Sequence, residues 1–328
     1  MPAMERNVIF LTGGSGFLGR HLIQDLINKG YRVRALARSS ASATVVGAMG
    51  AEPVMGDLGD PQALQSGMND CFAAIHCAAK VGQWGPWSEF LRDTVQGTQQ
   101  VVAAARAAKV PRLVHVSTEA VLADGSAIVN ADESRPLPAN PNGFYPRSKG
   151  MAEQIVLAAN GDGIETVVVR PRFIWGEGDT TLLPNLVEAA HKGWVWFGGG
   201  RHRMSTCHVR NVCEGIRLAL QRGGAGQVYF LTDGEPVLFR DFIGKLIRSQ
   251  GVEPGERSAP MWVADMLAAS GEAAWRMLKL HGEPPLTRTA VNLFFREVTV
   301  NDTKARRELG YQPVISVAEG LAELQRAG

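Results

Sequence analysis

A glycine-rich turn between an apolar run and an amphipathic segment is the strongest constraint on how this chain folds. Residues 8–11 are continuously apolar, as in a strand that is buried on both faces. Gly13, Gly16 and Gly19 follow at every third position, and residues 17–29 then carry apolar side chains at helical spacing. A strand, a glycine turn and a helix in this order predict a phosphate-binding βα unit of Rossmann type.

Each glycine has its own role in such a turn. Gly13 allows the tight turn after the strand, Gly16 lets the backbone approach a pyrophosphate, and Gly19 lets the helix pack close to the sheet. The free N–H groups and the dipole of the helix then face the phosphates. We therefore predict contacts to a dinucleotide at Gly13, Ser15, Gly16, Phe17, Leu18 and Gly19.

The rest of the first half alternates short apolar runs with helical patterns. This rhythm predicts a parallel sheet with helices on both faces. Further strands are predicted at 33–37, 52–55, 72–77, 113–117 and 166–170, and helices at 86–108 and 145–159. After Pro171 the rhythm loosens, with helices predicted at about 209–221 and 238–250, a strand at 228–231 and a helical segment at 261–280.

We predict an α/β fold with a doubly wound parallel sheet of Rossmann type. Residues 1–175 are expected to form the dinucleotide-binding domain and to carry the catalytic residues. Residues 176–328 are expected to form mainly a smaller, interleaved substrate-binding lobe, with some segments that return to the sheet.

Composition argues against several other classes. The 328 residues have a net charge of only +2 and no Lys/Arg run, so nucleic acid is not an expected partner. The four cysteines form no CxxC pair, so no metal site is expected and reduced thiols in the cytoplasm are the simplest interpretation. No N-terminal signal peptide and no apolar run of spanning length is recognised.

The end of the second predicted strand bears on the choice of cofactor. NAD-binding proteins usually place an acidic residue there for the ribose 2′-hydroxyl, but no Asp or Glu lies between Asp25 and Glu52. Arg38 stands next to that place, and a guanidinium suits a 2′-phosphate. NADP(H) is therefore preferred, and NAD(H) remains possible. Asp57, followed by Leu58, is expected either to meet the adenine or to cap the next helix.

Tyr145 and Lys149 form the candidate catalytic pair. At positions i and i+4 of a helix the two side chains lie on one face. A free tyrosine has a pKa of about 10, and a neighbouring ammonium is expected to lower it. Such a tyrosine exchanges a proton with a carbonyl or alcohol oxygen while hydride moves. Ser117 and Thr118 end the fifth strand, where hydroxyls line the ligand crevice of a parallel sheet.

These residues resemble the extended short-chain dehydrogenase/reductase superfamily (NAD-dependent epimerase/dehydratase type), and most closely its 3β-hydroxysteroid dehydrogenase-like branch. The resemblance covers nearly the whole chain. Its pieces are residues 12–19, 116–118, 145–149 and 170–171 near 175–176 for the superfamily, and 78–82 with 84–87, 117–121, 286–288 and 304–311 for the branch.

The resemblance implies roles for further residues. Thr118 takes the place of the catalytic Ser/Thr beside Tyr145 and Lys149, and Lys149 also grips the nicotinamide ribose. Ser117 is expected to face the sheet, and His208 to be structural. The cofactor is expected to be bordered also by Ala78, Ala79, Lys80, Pro171 and Phe173.

Three features go beyond or depart from the family pattern. Thr94 stands where many members have Asn, which puts in doubt any helix bend or water relay that relies on that Asn. Tryptophans near the presumed cleft favour an apolar substrate over a diphosphate sugar, namely Trp84, Trp87, Trp175, Trp194 and Trp196. The segment 261–280 is expected to pack over the active site, with contact to a membrane as the alternative.

The main hypothesis is an NADP(H)-dependent oxidoreductase that interconverts a secondary alcohol and a ketone or aldehyde on a steroid-like, aromatic or long-chain substrate. One alternative is a sugar-nucleotide epimerase or dehydratase that retains NAD. The other is a redox-sensing protein that binds NADP without turnover. By analogy with relatives, a homodimer is possible.

Overall fold

The computed structural model describes residues 7–327 and contains a seven-stranded parallel sheet at its centre. The strands, in chain order, are β1 Val8–Thr12, β2 Arg32–Ala37, β3 Glu52–Met55, β4 Ala73–His76, β5 Arg112–Val116, β6 Ile128–Ala131, β7 Glu165–Pro171, β8 Ile174–Trp175, β9 Trp196–Phe197, β10 Arg203–Met204, β11 Cys207–His208, β12 Gln227–Leu231, β13 Val237–Leu238, β14 Ser258–Ala259 and β15 Val298–Val300.

The order of the central sheet is β12-β7-β5-β4-β1-β2-β3, and every neighbouring pair is parallel. The chain leaves β1 in one direction towards β3 and then returns to the other side of β1 with β4. This reversal places a crevice at the carboxyl ends of β1 and β4, where a doubly wound sheet binds its ligand. The predicted α/β fold class is confirmed.

The helices cover both faces of this sheet and build the second lobe. They are α1 Phe17–Asn28, α2 Ser40–Ala48, α3 Pro61–Met68, α4 Trp87–Phe90, α5 Gly97–Ala107, α6 Phe144–Ala158, α7 Leu182–His191, α8 Val209–Arg222, α9 Phe239–Arg248, α10 Met261–Met277, α11 Arg288–Phe294, α12 Thr303–Leu309 and α13 Val317–Ala327. A π-helical segment, Leu91–Gln96, joins α4 to α5. The helix predicted at 86–108 is therefore interrupted by a π-helical stretch.

The side chains of β1 show why the sheet has two cores. Ile9 and Leu11 point to one face and pack with α1 and α8, whereas Phe10 points to the other and packs with α3, α5 and α6. All three are fully buried. This alternation follows from the period of two residues along a strand, and burial of both faces explains the continuous apolar run.

The second lobe has an aromatic core of its own and three small sheets. The four-stranded sheet has the order β13-β10-β15-β6, and two-stranded sheets pair β11 with β8 and β14 with β9. Trp175, Trp194 and Trp196 are buried in the lobe's core with Phe239 and Phe242. The sequence interpretation that placed these three tryptophans at the cleft is wrong, because their rings hold the lobe together from inside.

Helix α10 packs by one face only. Ala264, Ala268 and Glu272 are buried, whereas Trp262 and Met277 on the outer face are exposed. Within residues 7–327, no helix has both the length and the apolar character needed to cross a bilayer.

Candidate active site

The glycine turn has the geometry of a phosphate cradle. Gly13 has a φ of 78°, and a Cβ there would lie 2.9 Å from the Ala78 nitrogen. A Cβ on Gly19 would collide with the Gly13 carbonyl, so α1 lies directly against the turn. Helix α1 begins after Gly16 with no side-chain cap, which leaves its first N–H groups for an anion. The residues present therefore fit a dinucleotide pyrophosphate.

The flanking residues of this turn surround the same space. Ser15 and Gly16 are exposed, and Phe17 and Leu18 are half-buried. Leu18 also packs against the core between α1 and the sheet. Ser15, Gly16 and Phe17 thus form the accessible rim of the turn.

Arg38 is exposed at the carboxyl end of β2 and forms no ion pair with a carboxylate in the described part of the chain. Ser39, beside it, caps α2 by accepting a hydrogen bond of 3.2 Å from the Ser42 nitrogen. The start of α2 and the Arg38 guanidinium therefore lie next to each other in sequence at this edge. Both carry the positive polarity that a phosphate requires.

The residues after β3 resolve one sequence alternative. Asp60, not Asp57, caps α3, with its carboxylate accepting from the nitrogens of Gln62 and Ala63 at 3.1 and 3.0 Å. Asp57 accepts instead from the Gly59 nitrogen at 2.8 Å. Capping of α3 by Asp57 is thus wrong, because the helix begins one residue after Asp60. Leu58 packs against α5, since a Cβ on Gly97, the first residue of that helix, would lie 2.7 Å from the Leu58 side chain.

A short turn at residues 78–80 lies between the glycine turn and the π-helical segment. The Ala78 nitrogen donates to the Thr12 hydroxyl at 3.2 Å, and the Lys80 nitrogen donates to the Thr94 hydroxyl at 3.0 Å. The Lys80 ammonium pairs with Glu89 at 2.7 Å. The helix irregularity is present although Thr94 stands where many family members have Asn, and the Thr94 hydroxyl accepts the bond to this turn.

The catalytic candidates meet at the carboxyl edge of β5. Tyr145 lies in the first turn of α6 and packs against Ala120 and Ala123, in the segment that follows Thr118. Lys149, one turn further, is buried and its ammonium donates to the Val116 carbonyl at 2.7 Å. Ser117 points away and donates to Glu153 at 2.7 Å. The structure therefore brings together Tyr145, Lys149 and Thr118 and separates Ser117 from them.

The electrostatics of this pair differ from the sequence expectation. Burial, and then the charge of Glu119, raise the pKa of Tyr145 to about 12, against an opposing effect of the Thr118 hydroxyl. Burial lowers the pKa of Lys149 to about 8. The expected lowering of the tyrosine pKa by Lys149 is wrong for the protein alone, because the ammonium is directed at the Val116 carbonyl. Tyr145 is thus held in its protonated form.

Glu119 and Arg172 are site residues that the sequence reading missed. Their buried side chains form an ion pair of 3.0 Å, and Arg172 also donates to the Leu293 carbonyl at 2.6 Å. Glu119 accepts the Thr118 hydroxyl hydrogen at 2.8 Å. The available signal was that each charge stands just after a buried strand, at the edge where ligands bind.

Pro171 and Phe173 flank Arg172 after β7. Pro171 ends the strand, and Phe173 adopts a positive φ of 49°. The Phe173 ring is almost buried against Phe242 and Phe294, with centroid distances of 6.0 and 5.6 Å. Phe173 therefore joins the sheet edge to the core of the second lobe.

His208 has contacts that fit its expected structural role. It caps α8, where its ring accepts from the Arg210 nitrogen at 3.3 Å, and its own backbone nitrogen donates to Asp233 at 2.6 Å. Its ring lies edge-on against Trp175. Burial lowers the pKa of His208 to about 4, so the ring is neutral at physiological pH.

Two half-exposed tryptophans form the apolar mouth of the site: Trp84 lies in the loop before α4, and Trp87 is the first residue of that helix. Trp87 packs on Phe144, the neighbour of Tyr145, with ring centroids 5.5 Å apart. Trp84 lies under the Arg276 guanidinium of α10 at 5.4 Å. These two half-exposed rings, unlike the three core tryptophans, remain accessible, and Trp87 lies against the residue that precedes Tyr145. Helix α10 reaches this mouth through Arg276.

The four cysteines are free thiols. Within residues 7–327, no group of three or more His, Cys, Asp or Glu side chains is arranged to hold a metal ion.

A doubly wound sheet, a glycine phosphate cradle and a Tyr–Lys–Thr cluster at the same edge define a nicotinamide-dependent oxidoreductase of the short-chain dehydrogenase/reductase type. Comparison with known proteins is more specific. Residues 10–261 match the 3-beta hydroxysteroid dehydrogenase/isomerase family, and the chain belongs to that family. The resemblance predicted from the motifs is confirmed.

Two curated relatives span nearly the same length. A 4-hydroxy-2-methyl-3-oxo-4-farnesyl-3,4-dihydroquinoline-1-oxide ketoreductase from Stigmatella aurantiaca is 50% identical, over 97% of this chain and 96% of its own. A decarboxylating sterol-4-alpha-carboxylate 3-dehydrogenase from Dictyostelium discoideum is 36% identical, over 96% and 99%.

A solved structure supports the same fold. The dTDP-glucose 4,6-dehydratase from Streptomyces venezuelae, crystallised with NAD, matches with a TM-score of 0.76 and 27% identity over 97% of this chain and 96% of its own.

Proposed function

We propose that this protein is an NADPH-dependent ketoreductase that acts on an apolar ketone. The observation that supports the proposal is that α6 carries Tyr145 and Lys149 one turn apart against the carboxyl end of β5, where Lys149 binds the Val116 carbonyl and Thr118 follows. The name of the 50% identical relative, a ketoreductase, supports the direction of the reaction.

The roles of the three residues follow from their surroundings. The reduced nicotinamide, when bound, supplies hydride to the carbonyl carbon. Tyr145 donates its proton to the carbonyl oxygen, for which a hydroxyl that stays protonated is suited. Thr118 holds that oxygen in place after exchanging its bond to Glu119. Lys149, whose ammonium is held at the Val116 carbonyl, orients the nicotinamide ribose.

The remaining cofactor contacts are proposed from position. The glycine turn receives the pyrophosphate, Asp57 and Leu58 lie at the adenine end, and residues 78–80 with Pro171 and Phe173 border the nicotinamide end. Arg38 pairs with the 2′-phosphate, which gives the preference for NADP(H) over NAD(H).

The substrate is proposed to be an apolar ring system or a compound with a long alkyl chain. The half-exposed Trp84 and Trp87 and the outer rim formed by Phe144 provide apolar contact area near Tyr145. The farnesyl and sterol groups in the relatives' names point to the same class. In this proposal residues 1–175 bind the cofactor, residues 176–328 mainly enclose the substrate, and the enzyme works in the cytoplasm.

Cofactor titration tests the proposal most directly. We expect NADPH to bind at least tenfold more tightly than NADH, as followed by nicotinamide fluorescence. Arg38→Ala should remove this preference, because it deletes the charge next to the 2′-phosphate. Arg32→Ala, an exposed arginine at the opposite end of β2, is the matched control and should keep it. Tighter binding of NADH by the unchanged protein would contradict the NADP assignment.

A panel of ketones with NADPH then tests the activity. We expect loss of nicotinamide absorbance with apolar cyclic ketones and none with nucleotide sugars. An epimerase or dehydratase, as in the dTDP-glucose 4,6-dehydratase neighbour, predicts the reverse: retained NAD and no net change in absorbance.

A further inference from the structure

A buried line of side chains runs below the turn at residues 78–80. Thr12, His76 and Thr98 lie on three different elements, and each has 0% of its surface exposed. The His76 ring joins the other two, with Nδ1 2.7 Å from the Thr12 hydroxyl and Nε2 3.0 Å from the Thr98 hydroxyl. Polar groups so deeply buried are costly unless each is paired.

The direction of every hydrogen bond in this line is determined. The Thr98 hydroxyl donates its single hydrogen to the Thr94 carbonyl at 2.6 Å, so it must accept from His76 Nε2–H. In a neutral ring Nδ1 is then an acceptor, and it takes the Thr12 hydrogen. Thr12 in turn accepts from the Ala78 nitrogen at 3.2 Å. The line therefore runs one way, from the Ala78 amide to the Thr94 carbonyl.

The neutral ring is consistent with its surroundings. Burial, followed by the charge of Lys149, lowers the pKa of His76 to about 3. The neighbouring His115 ring, 5.2 Å away, is buried as well and has its pKa lowered for the same reasons. A charged His76 would present N–H to the Thr12 oxygen and leave the Thr12 hydrogen without an acceptor.

Both ends of the turn depend on this line. The line begins at Ala78, the first residue of the turn, and ends at Thr94. The Thr94 hydroxyl also accepts a hydrogen bond of 3.0 Å from the Lys80 nitrogen, at the other end of the turn. Gly13 closes the turn from the other side, because a Cβ there would lie 2.9 Å from the Ala78 nitrogen. Both ends of the turn therefore bind residues that the His76 ring connects.

We propose that His76 is a positioning residue for the dinucleotide: through Thr12, Thr98 and Thr94 it fixes the turn at residues 78–80 at the distance from the glycine cradle that the cofactor requires. The inference rests on the proposed role of this turn at the nicotinamide end. It assigns His76 a function in cofactor affinity and no contact with the reacting atoms.

Thr98→Val is the central test, because valine keeps the shape of threonine and removes only the hydroxyl. We expect the dissociation constant and the KM for NADPH to rise about tenfold, with kcat changed less than about twofold, since the catalytic cluster lies on other residues. Thr98→Ser restores the hydroxyl and should return both values to within about twofold of the unchanged protein. His76→Asn and His76→Gln, which each keep one of the two ring contacts, should weaken NADPH binding in the same way.

The binding measurement uses NADPH fluorescence without any ketone, so it does not depend on knowing the substrate. Thermal unfolding of each variant is recorded alongside. A lower Tm for Thr98→Val with an NADPH dissociation constant within about twofold of the unchanged protein would overturn the proposal, since a merely structural role predicts that pattern. Failure of the unchanged protein to bind NADPH or NADH overturns both this inference and the proposed function.

Discussion

At the residue scale, the proposed function makes turnover depend on Tyr145. It is half-buried in the first turn of α6, and its raised pKa keeps it a proton donor over the physiological range. Tyr145→Phe should reduce kcat by at least about a hundredfold, the lower range for a lost general acid. The NADPH dissociation constant should stay within about twofold, because the phenyl ring keeps the packing. Near-normal turnover would exclude Tyr145 as the acid.

Lys149 gives the site its expected pH dependence. Its lowered pKa, about 8, means that the ammonium is present below pH 8 and is lost above it. We expect kcat/KM for NADPH, which reports groups of the free enzyme, to fall as the pH rises through about 8. Lys149→Arg keeps the positive charge at high pH. Any activity that remains in this variant should therefore show no fall in kcat/KM below pH 10. If kcat/KM of the arginine variant still falls near pH 8, the fall is due to another group.

At the element scale, substitutions on the two faces of α10 are expected to affect the free energy of unfolding differently. Ala268 is fully buried against the lobe, whereas Met277 is 81% exposed. Ala268→Leu should lower the free energy of unfolding by about 1–3 kcal/mol through overpacking. Met277→Gln, the control on the same helix, should change it by less than about 0.5 kcal/mol. Urea unfolding measures both, and equal effects would contradict the observed orientation of the helix.

At the scale of the whole molecule, the Glu119–Arg172 pair connects the catalytic edge to the second lobe. Arg172 reaches Leu293 of α11 while Glu119 holds Thr118. Arg172→Met leaves a buried carboxylate without its partner and should cost about 3–5 kcal/mol of stability. Glu119→Gln removes that charge, so the double variant should lose less than the sum of the two single variants. A double-mutant cycle by urea unfolding checks this, and additive losses would mean that the pair is uncoupled.

The sequence alone determined the features that depend on neighbours along the chain. The apolar run, the three glycines and the amphipathic helix after them are contiguous, so spacing was enough to predict the βα unit, and the alternation that follows predicted the sheet. The Tyr145–Lys149 spacing likewise needs only one helix. The preference for NADP(H) inferred from Arg38 stays a prediction. It rests on one exposed residue at the end of one strand, which is also why the sequence alone could suggest it.

Only the tertiary structure decided what depends on residues that are far apart in sequence. The three core tryptophans look no different in sequence from the two at the mouth, and only packing separates them. The raised pKa of Tyr145 comes from burial and then from the charge of Glu119, which no local spacing encodes. The line through Thr12, His76 and Thr98 joins β1, β4 and α5, and its direction follows from donors and acceptors that meet only because β1 and β4 are neighbours at the reversal of the sheet.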